Sequence, residues 1–133
     1  MFRRFGNLFF AIVLARRTRR RAKEALEFGR ADLGIRWPVA LHWRNGLKGL
    51  GQVSSGVKYQ IEIRPRQAPG EAMRTVFHEL YHLAQFHKWG DLHPKKRKIG
   101  PGDLERAESL AEIYARITAK SYERAEKRSK RGR

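Results

Sequence analysis

Apolar positions fall into distinct runs along the chain, and their periods differ. An unbroken apolar block, Leu8 to Ala15, leads into an arginine-rich stretch. Together they predict a helix from Asn7 to Phe28, with Asn7 as N-cap and Gly29 as its C-terminal stop. Val39 to Trp43 alternates and is followed by Asn45-Gly46, so a strand ending in a turn is expected. Leu50 to Ser54 is a weaker strand, with Ser55-Gly56 as the next turn. Val57, Tyr59, Ile61 and Ile63 alternate with Lys58, Gln60, Glu62 and Arg64, the period of a half-buried strand, and Pro65 stops it. Pro69-Gly70-Glu71 opens a helix that runs to about Lys88. Asp103 caps a last helix, Leu104 to about Lys127, in which Ala107, Ala111, Ala115 and Ala119 form a row of small side chains suited to close helix packing. The fold class is therefore α+β: an N-terminal helix, a short, mostly antiparallel sheet, and two further helices.

With 133 residues the chain has room for one domain with a modest core. Three parts are expected: a basic and apolar helical extension over 1–30, the domain proper over 31–125, and a basic tail over 126–133. The stretch from Arg124 to the end is expected to fray. There is no cysteine, which excludes disulfides and thiolate metal sites. The formal charge of +17 suits polyanionic partners, either nucleic acid or an anionic surface, although solvated basic tails give the same balance. The apolar block at 8–15 is shorter than the ~20 residues of a membrane span. It resembles the core of a signal peptide, but Arg16-Arg17-Thr18-Arg19-Arg20-Arg21 follows at once with no Ala-x-Ala site. A cytoplasmic location is expected, with residues 8–15 packed on the domain, against a partner, or on a membrane surface.

The chemistry concentrates in one stretch, His78-Glu79-Leu80-Tyr81-His82. On a helix, residues four apart lie about 40° apart around the axis and ~6 Å along it, so His78 and His82 project side by side and can share one Zn²⁺. Glu79 is turned one step away, placed to accept a proton from a water beside the metal rather than to ligate. Val76, Phe77, Leu80, Leu83 and Ala84 make this helix largely buried. Polar groups on a buried helix need partners, because an unpaired one costs roughly 1–3 kcal/mol. His42 is a candidate ligand, but its place on an alternating strand favours a structural residue. His87 turns away from the metal face.

A third ligand has three candidates. Glu108 stands beside the alanine row and reaches the metal if the last helix packs on the motif helix. Glu105 competes with it, although a carboxylate in a first helical turn is also favoured by the helix dipole. His93 lies in the loop from Trp89 to Gly102, near the Lys95-Lys96-Arg97-Lys98 run. Glu112, one turn beyond Glu108, can accept the second N–H of a ligand histidine or pair with Arg116.

The His-Glu-x-x-His motif, followed by Glu108-Ser109-Leu110-Ala111-Glu112, resembles a gluzincin metallopeptidase of minimal size. The resemblance covers about residues 38–120. It implies a small zincin-like domain with zinc on His78, His82 and Glu108, Glu79 as general base, and Glu112 supporting a histidine, with Glu where the family commonly has Asp. It further implies a peptide substrate that pairs as a strand with Tyr59, Gln60, Ile61, Glu62 and Ile63. Tyr81, Tyr114 and His93 are candidates for stabilising the oxyanion. His78 to Gln85 and the preceding strands also resemble the SprT-like peptidases, which act on DNA-bound proteins and take a later His, usually before Gly, as third ligand. Here His93 precedes Pro94. Gln at 85 and Lys at 88 exclude the longer metzincin motif. The other class in play is a basic nucleic-acid-binding protein whose metal site is structural or vestigial.

Overall fold

The structure is a computed structural model that describes residues 2–55, 59–88 and 101–132, with side chains over 8–53, 59–85 and 102–132. The elements run α1 (Phe2–Leu33), β1 (Ala40–Trp43), β2 (Gly51–Ser55), β3 (Tyr59–Ile63), α2 (Pro69–Lys88) and α3 (Pro101–Arg131). The α+β layout expected from the patterning is the one observed.

Helix α2 is the centre of the molecule. Its apolar residues Met73, Val76, Phe77, Leu80 and Leu83 are fully buried. They meet α1, α3 and the sheet. From α1 they receive Ala22, Ala25 and Gly29, which share one face at helical spacing. A Cβ on Gly29 would lie 2.5 Å from Leu80 Cδ1 and 3.2 Å from Phe77 Cδ1. Gly29 is thus a close-packing contact, not the helix stop expected of it. The helix continues to Leu33 and ends at Gly34, whose φ of +68° few other residues adopt. The Ile35 N–H closes the end on the Arg30 carbonyl at 2.8 Å, and the Gly34 N–H bonds that of Ala31 at 3.3 Å. The second half of α1 therefore packs into the core.

Helix α3 lays its alanine row on α2, with Ala107, Ala111, Ala115 and Ala119 all buried as their spacing implied. Asp103 lies within its first turn. The far end does not stop where a fraying tail was expected. Glu126 is gripped by Arg21 of α1 through both carboxylate oxygens, and this pairing holds its carboxyl down at about 2. Tyr122 donates to Glu24 and Tyr114 to Asp32, each at 2.8 Å. These contacts carry α3 along α1, and the helix reaches Arg131.

The sheet has the order β1-β3-β2, with β3 antiparallel to β2 and parallel to β1. It is mixed rather than mostly antiparallel, because residues 44–50 carry the chain back past the end of β3. Hydrogen bonds from Arg44 N–H to the Ile63 carbonyl and from Arg64 N–H to the Leu50 carbonyl, both 2.8 Å, fix that crossing. As the middle strand, β3 is covered more fully than a half-buried strand, and Ile61, Glu62 and Ile63 are all buried. Glu62 is satisfied there by Arg44 at 2.8 Å and Gln52 at 3.1 Å. Buried Gln67 ties the layers together. Its amide nitrogen donates to the Leu50 and Arg64 carbonyls, and it accepts hydroxyl hydrogen bonds from Thr18 of α1 and Thr75 of α2.

Candidate metal centre

His78 and His82 leave the same face of α2 and meet Glu108 of α3. The ligand-capable atoms of these three residues all lie within 4.8 Å of one another. The Nε2 atoms of the two imidazoles are 3.1 Å apart. One oxygen of Glu108 stands 2.8 Å from His78 Nε2 and the other 2.8 Å from His82 Nε2.

The outer nitrogens fix the tautomers. Gln85 donates its amide NH₂ to the Ala107 carbonyl at 3.3 Å, so its oxygen faces His82 Nδ1 at 3.0 Å and must accept. Glu112 presents a carboxylate oxygen to His78 Nδ1 at 3.2 Å, again an acceptor. With each Nδ1 donating to these acceptors, a neutral imidazole at either position would turn its Nε2 lone pair toward Glu108. In that neutral form two lone pairs and a carboxylate converge on one point. A proton on an imidazole or a cation between them relieves the repulsion, and the donor set of two imidazoles and one carboxylate suits a divalent metal with a ligand position left over. Burial pushes His82 below its ordinary value, against the pull of Glu108, which favours the neutral form a metal requires.

Glu79 lies beside the cluster, against β2. A Cβ on Gly51 would lie 3.4 Å from Glu79 Cγ and 2.6 Å from Thr75 Cγ2, so only glycine lets the strand come this close to α2. The Glu79 carboxyl is buried, and that burial, with the Glu108 charge second, pushes it up to about 8. A divalent cation at the neighbouring cluster would oppose both effects and favour the carboxylate.

The cluster opens into a cleft of about 350 Å³. Gly49, Leu50 and Gly51 form one wall and Glu108 and Glu112 the other, over a floor of Glu71, Arg74, Thr75, His78 and Glu79. Arg74 bonds Glu112 at 3.0 Å, and Arg116 reaches the same oxygen at 3.8 Å. Glu112 thus serves a histidine and the arginines at once, so the two roles considered for it coexist.

Three expectations change. Glu105 is exposed on α3 and has no part in the cluster. Tyr81 and Tyr114 stack on each other with ring centres 5.0 Å apart, and the Tyr114 hydroxyl is engaged by Asp32, so neither lines the cleft. Strand β3 is paired on both edges and cannot take a further strand along Tyr59–Ile63. His42 is exposed on β1, as its alternating strand implied. His93, the Lys95–Lys98 run and the side chain of His87 lie outside the described residues. Two contributors had weak sequence signals. Gln85, three residues after His82, shares its helix face, and Arg74 stands one turn before His78.

No family model, curated protein or solved structure matches this chain.

Proposed function

We propose that this chain is a zinc-dependent metallopeptidase of the gluzincin kind, with His78, His82 and Glu108 as ligands. The observation that carries the reading is the convergence of the His78 and His82 imidazoles and the Glu108 carboxylate beside a buried Glu79, at a cleft that His78, Glu79 and Glu108 line. Glu108, at 2.8 Å from both imidazoles, favours a carboxylate as third ligand over His93. Zinc, when bound, supplies the Lewis acidity that lowers the pKa of a water toward about 7 and polarises a carbonyl.

Glu79 then acts as general base. It takes a proton from the attacking water and returns it to the departing amine. Glu112 and Gln85 hold the two imidazoles in the tautomer that exposes Nε2. Arg74 contributes positive charge on the cleft floor and takes the oxyanion-stabilising role for which the tyrosines were candidates.

The substrate strand is reassigned to β2. Leu50 and Arg64 form a hydrogen-bonded pair, so by the alternation of an antiparallel ladder Gly51 and Val53 turn their N–H and C=O groups to the other edge. That edge is free among the described strands and runs into the cleft. A peptide added there would pass in front of Glu79.

Gly51→Val tests this placement. The new side chain would force β2 away from Thr75, an overpacking that costs about 1–3 kcal/mol. Peptide hydrolysis is expected to fall by about tenfold or more while zinc is retained, since the ligands sit on α2 and α3. Unchanged turnover would remove β2 from the substrate path. The activity itself is tested with the zinc-loaded chain on a mixed peptide library. Cleavage should stop with a chelator and return with added zinc. A fully zinc-loaded chain that cleaves no peptide would contradict the proposal.

A further inference from the structure

The N-terminal part of α1 does something the cleft does not use. Beyond Thr18 the helix runs past the core, and Leu8, Phe9, Phe10, Ile12 and Leu14 are 60, 70, 68, 45 and 37% exposed. At 100° per residue these five side chains spread over about 240° of the helix, and exposed Ala11 and Ala15 fill the rest, so the apolar block is not one stripe. A dimer seam or a partner groove asks for a stripe. An apolar surface facing all ways suits a surrounding apolar medium. Next along the helix, Arg16, Arg17, Arg19, Arg20 and Lys23 are exposed, and the first carboxylate of the chain is Glu24. A mostly apolar groove of about 310 Å³ continues the patch onto the domain, with Ala11, Leu14 and Ala15 on one side and Trp43 and Pro65 on the other. Among the described residues no helix is long and apolar enough to cross a membrane. The block from 8 to 15 is about 12 Å long, which matches the depth of one leaflet rather than two.

We propose that residues 8–23 of α1 bind an anionic lipid surface, with the apolar block among the acyl chains and the adjoining arginines on the phosphate headgroups. A nucleic acid would engage the arginines and leave five large apolar side chains in water. A lipid surface accounts for both features together. Trp43, half-buried at the wall of the groove, is of the residue type that settles at such an interface. This assignment is independent of the metal cluster, and zinc or chelator should leave it unchanged.

The test is co-sedimentation of the full chain with vesicles of phosphatidylcholine alone and of phosphatidylcholine mixed with phosphatidylglycerol. Binding to the mixed vesicles is expected, weakened by salt and at least about tenfold weaker on the neutral ones. The double variant Phe9→Ser/Phe10→Ser should lose about tenfold or more of the binding to mixed vesicles. Both side chains are exposed and outside the core, so circular dichroism and metal content should not change. Three results would overturn the assignment. One is no vesicle binding together with salt-sensitive binding to duplex DNA. Another is no vesicle binding together with self-association that depends on Phe9 and Phe10. The third is vesicle binding undiminished in the double variant.

Discussion

Glu79→Gln is expected to keep its metal and to lose about 10²–10⁴-fold of peptide hydrolysis, the range that general-base catalysis supplies. Glutamine has the same shape and fits the same buried site, but it cannot accept a proton from water. Glu79 is not among the three clustered ligand residues, so zinc should remain bound. Activity retained in a zinc-loaded variant would assign the base elsewhere. The same substitution has a second consequence in the metal-free protein. There the folded state raises the Glu79 carboxyl from 4.5 to about 8, mainly through burial. Between those values the folded chain holds a proton that the unfolded chain has released. The stability from this group is therefore complete at low pH, declines above about 4.5 and is lost as pH rises through about 8. Glu79→Gln removes that dependence. Denaturation of metal-free wild type and variant across this range should show the variant gaining on the wild type as pH rises, by on the order of a few kcal/mol. Zinc should narrow the gap, because a cation beside the carboxylate favours its charged form.

Phe77→Ala carries the largest expected loss of stability. Phe77 is fully buried and lies one residue before His78. Its ring meets Phe28 of α1 edge-on at 6.1 Å and Tyr114 of α3 edge-on at 6.3 Å, and it lies against Gly29. One side chain thus touches all three helices. Removing it should cost about 3–5 kcal/mol in chemical denaturation. Because α3 carries Glu108, zinc affinity should fall as well. A loss below about 1 kcal/mol would mean that the helices do not depend on this contact.

The parts of the fold that were legible in the sequence have local periods. Helix α2 and its pair of imidazoles follow from spacing alone. The alanine row of α3 suited close packing on a neighbouring helix, and with α2 as that neighbour Glu108 falls beside His78 and His82. The strand order had no such signal. Whether β3 lies at an edge or in the middle depends on how residues 44–50 pass its end, which alternation within a strand does not encode. Gly29 and Gly34 show the same limit. Either glycine can end a helix, and only Leu80 and Phe77 opposite Gly29 reveal that it is kept small for contact. Tyr81 and Tyr114 were candidates for stabilising the oxyanion by residue type, yet their rings stack on each other between α2 and α3. The reach of α3 to Arg131 was hidden by its basic composition, which reads as a solvated tail until Arg21 is seen to hold Glu126.

The claim on which the rest depends is that His78, His82 and Glu108 bind one zinc. Metal content of the wild type, Glu108→Ala and His93→Ala, each purified gently and each refilled with zinc and desalted, tests it directly. One zinc per wild-type chain, lost in Glu108→Ala and kept in His93→Ala, is the expected result. Zinc retained at full stoichiometry and affinity in Glu108→Ala, or no zinc in the wild type even after refilling, would contradict it.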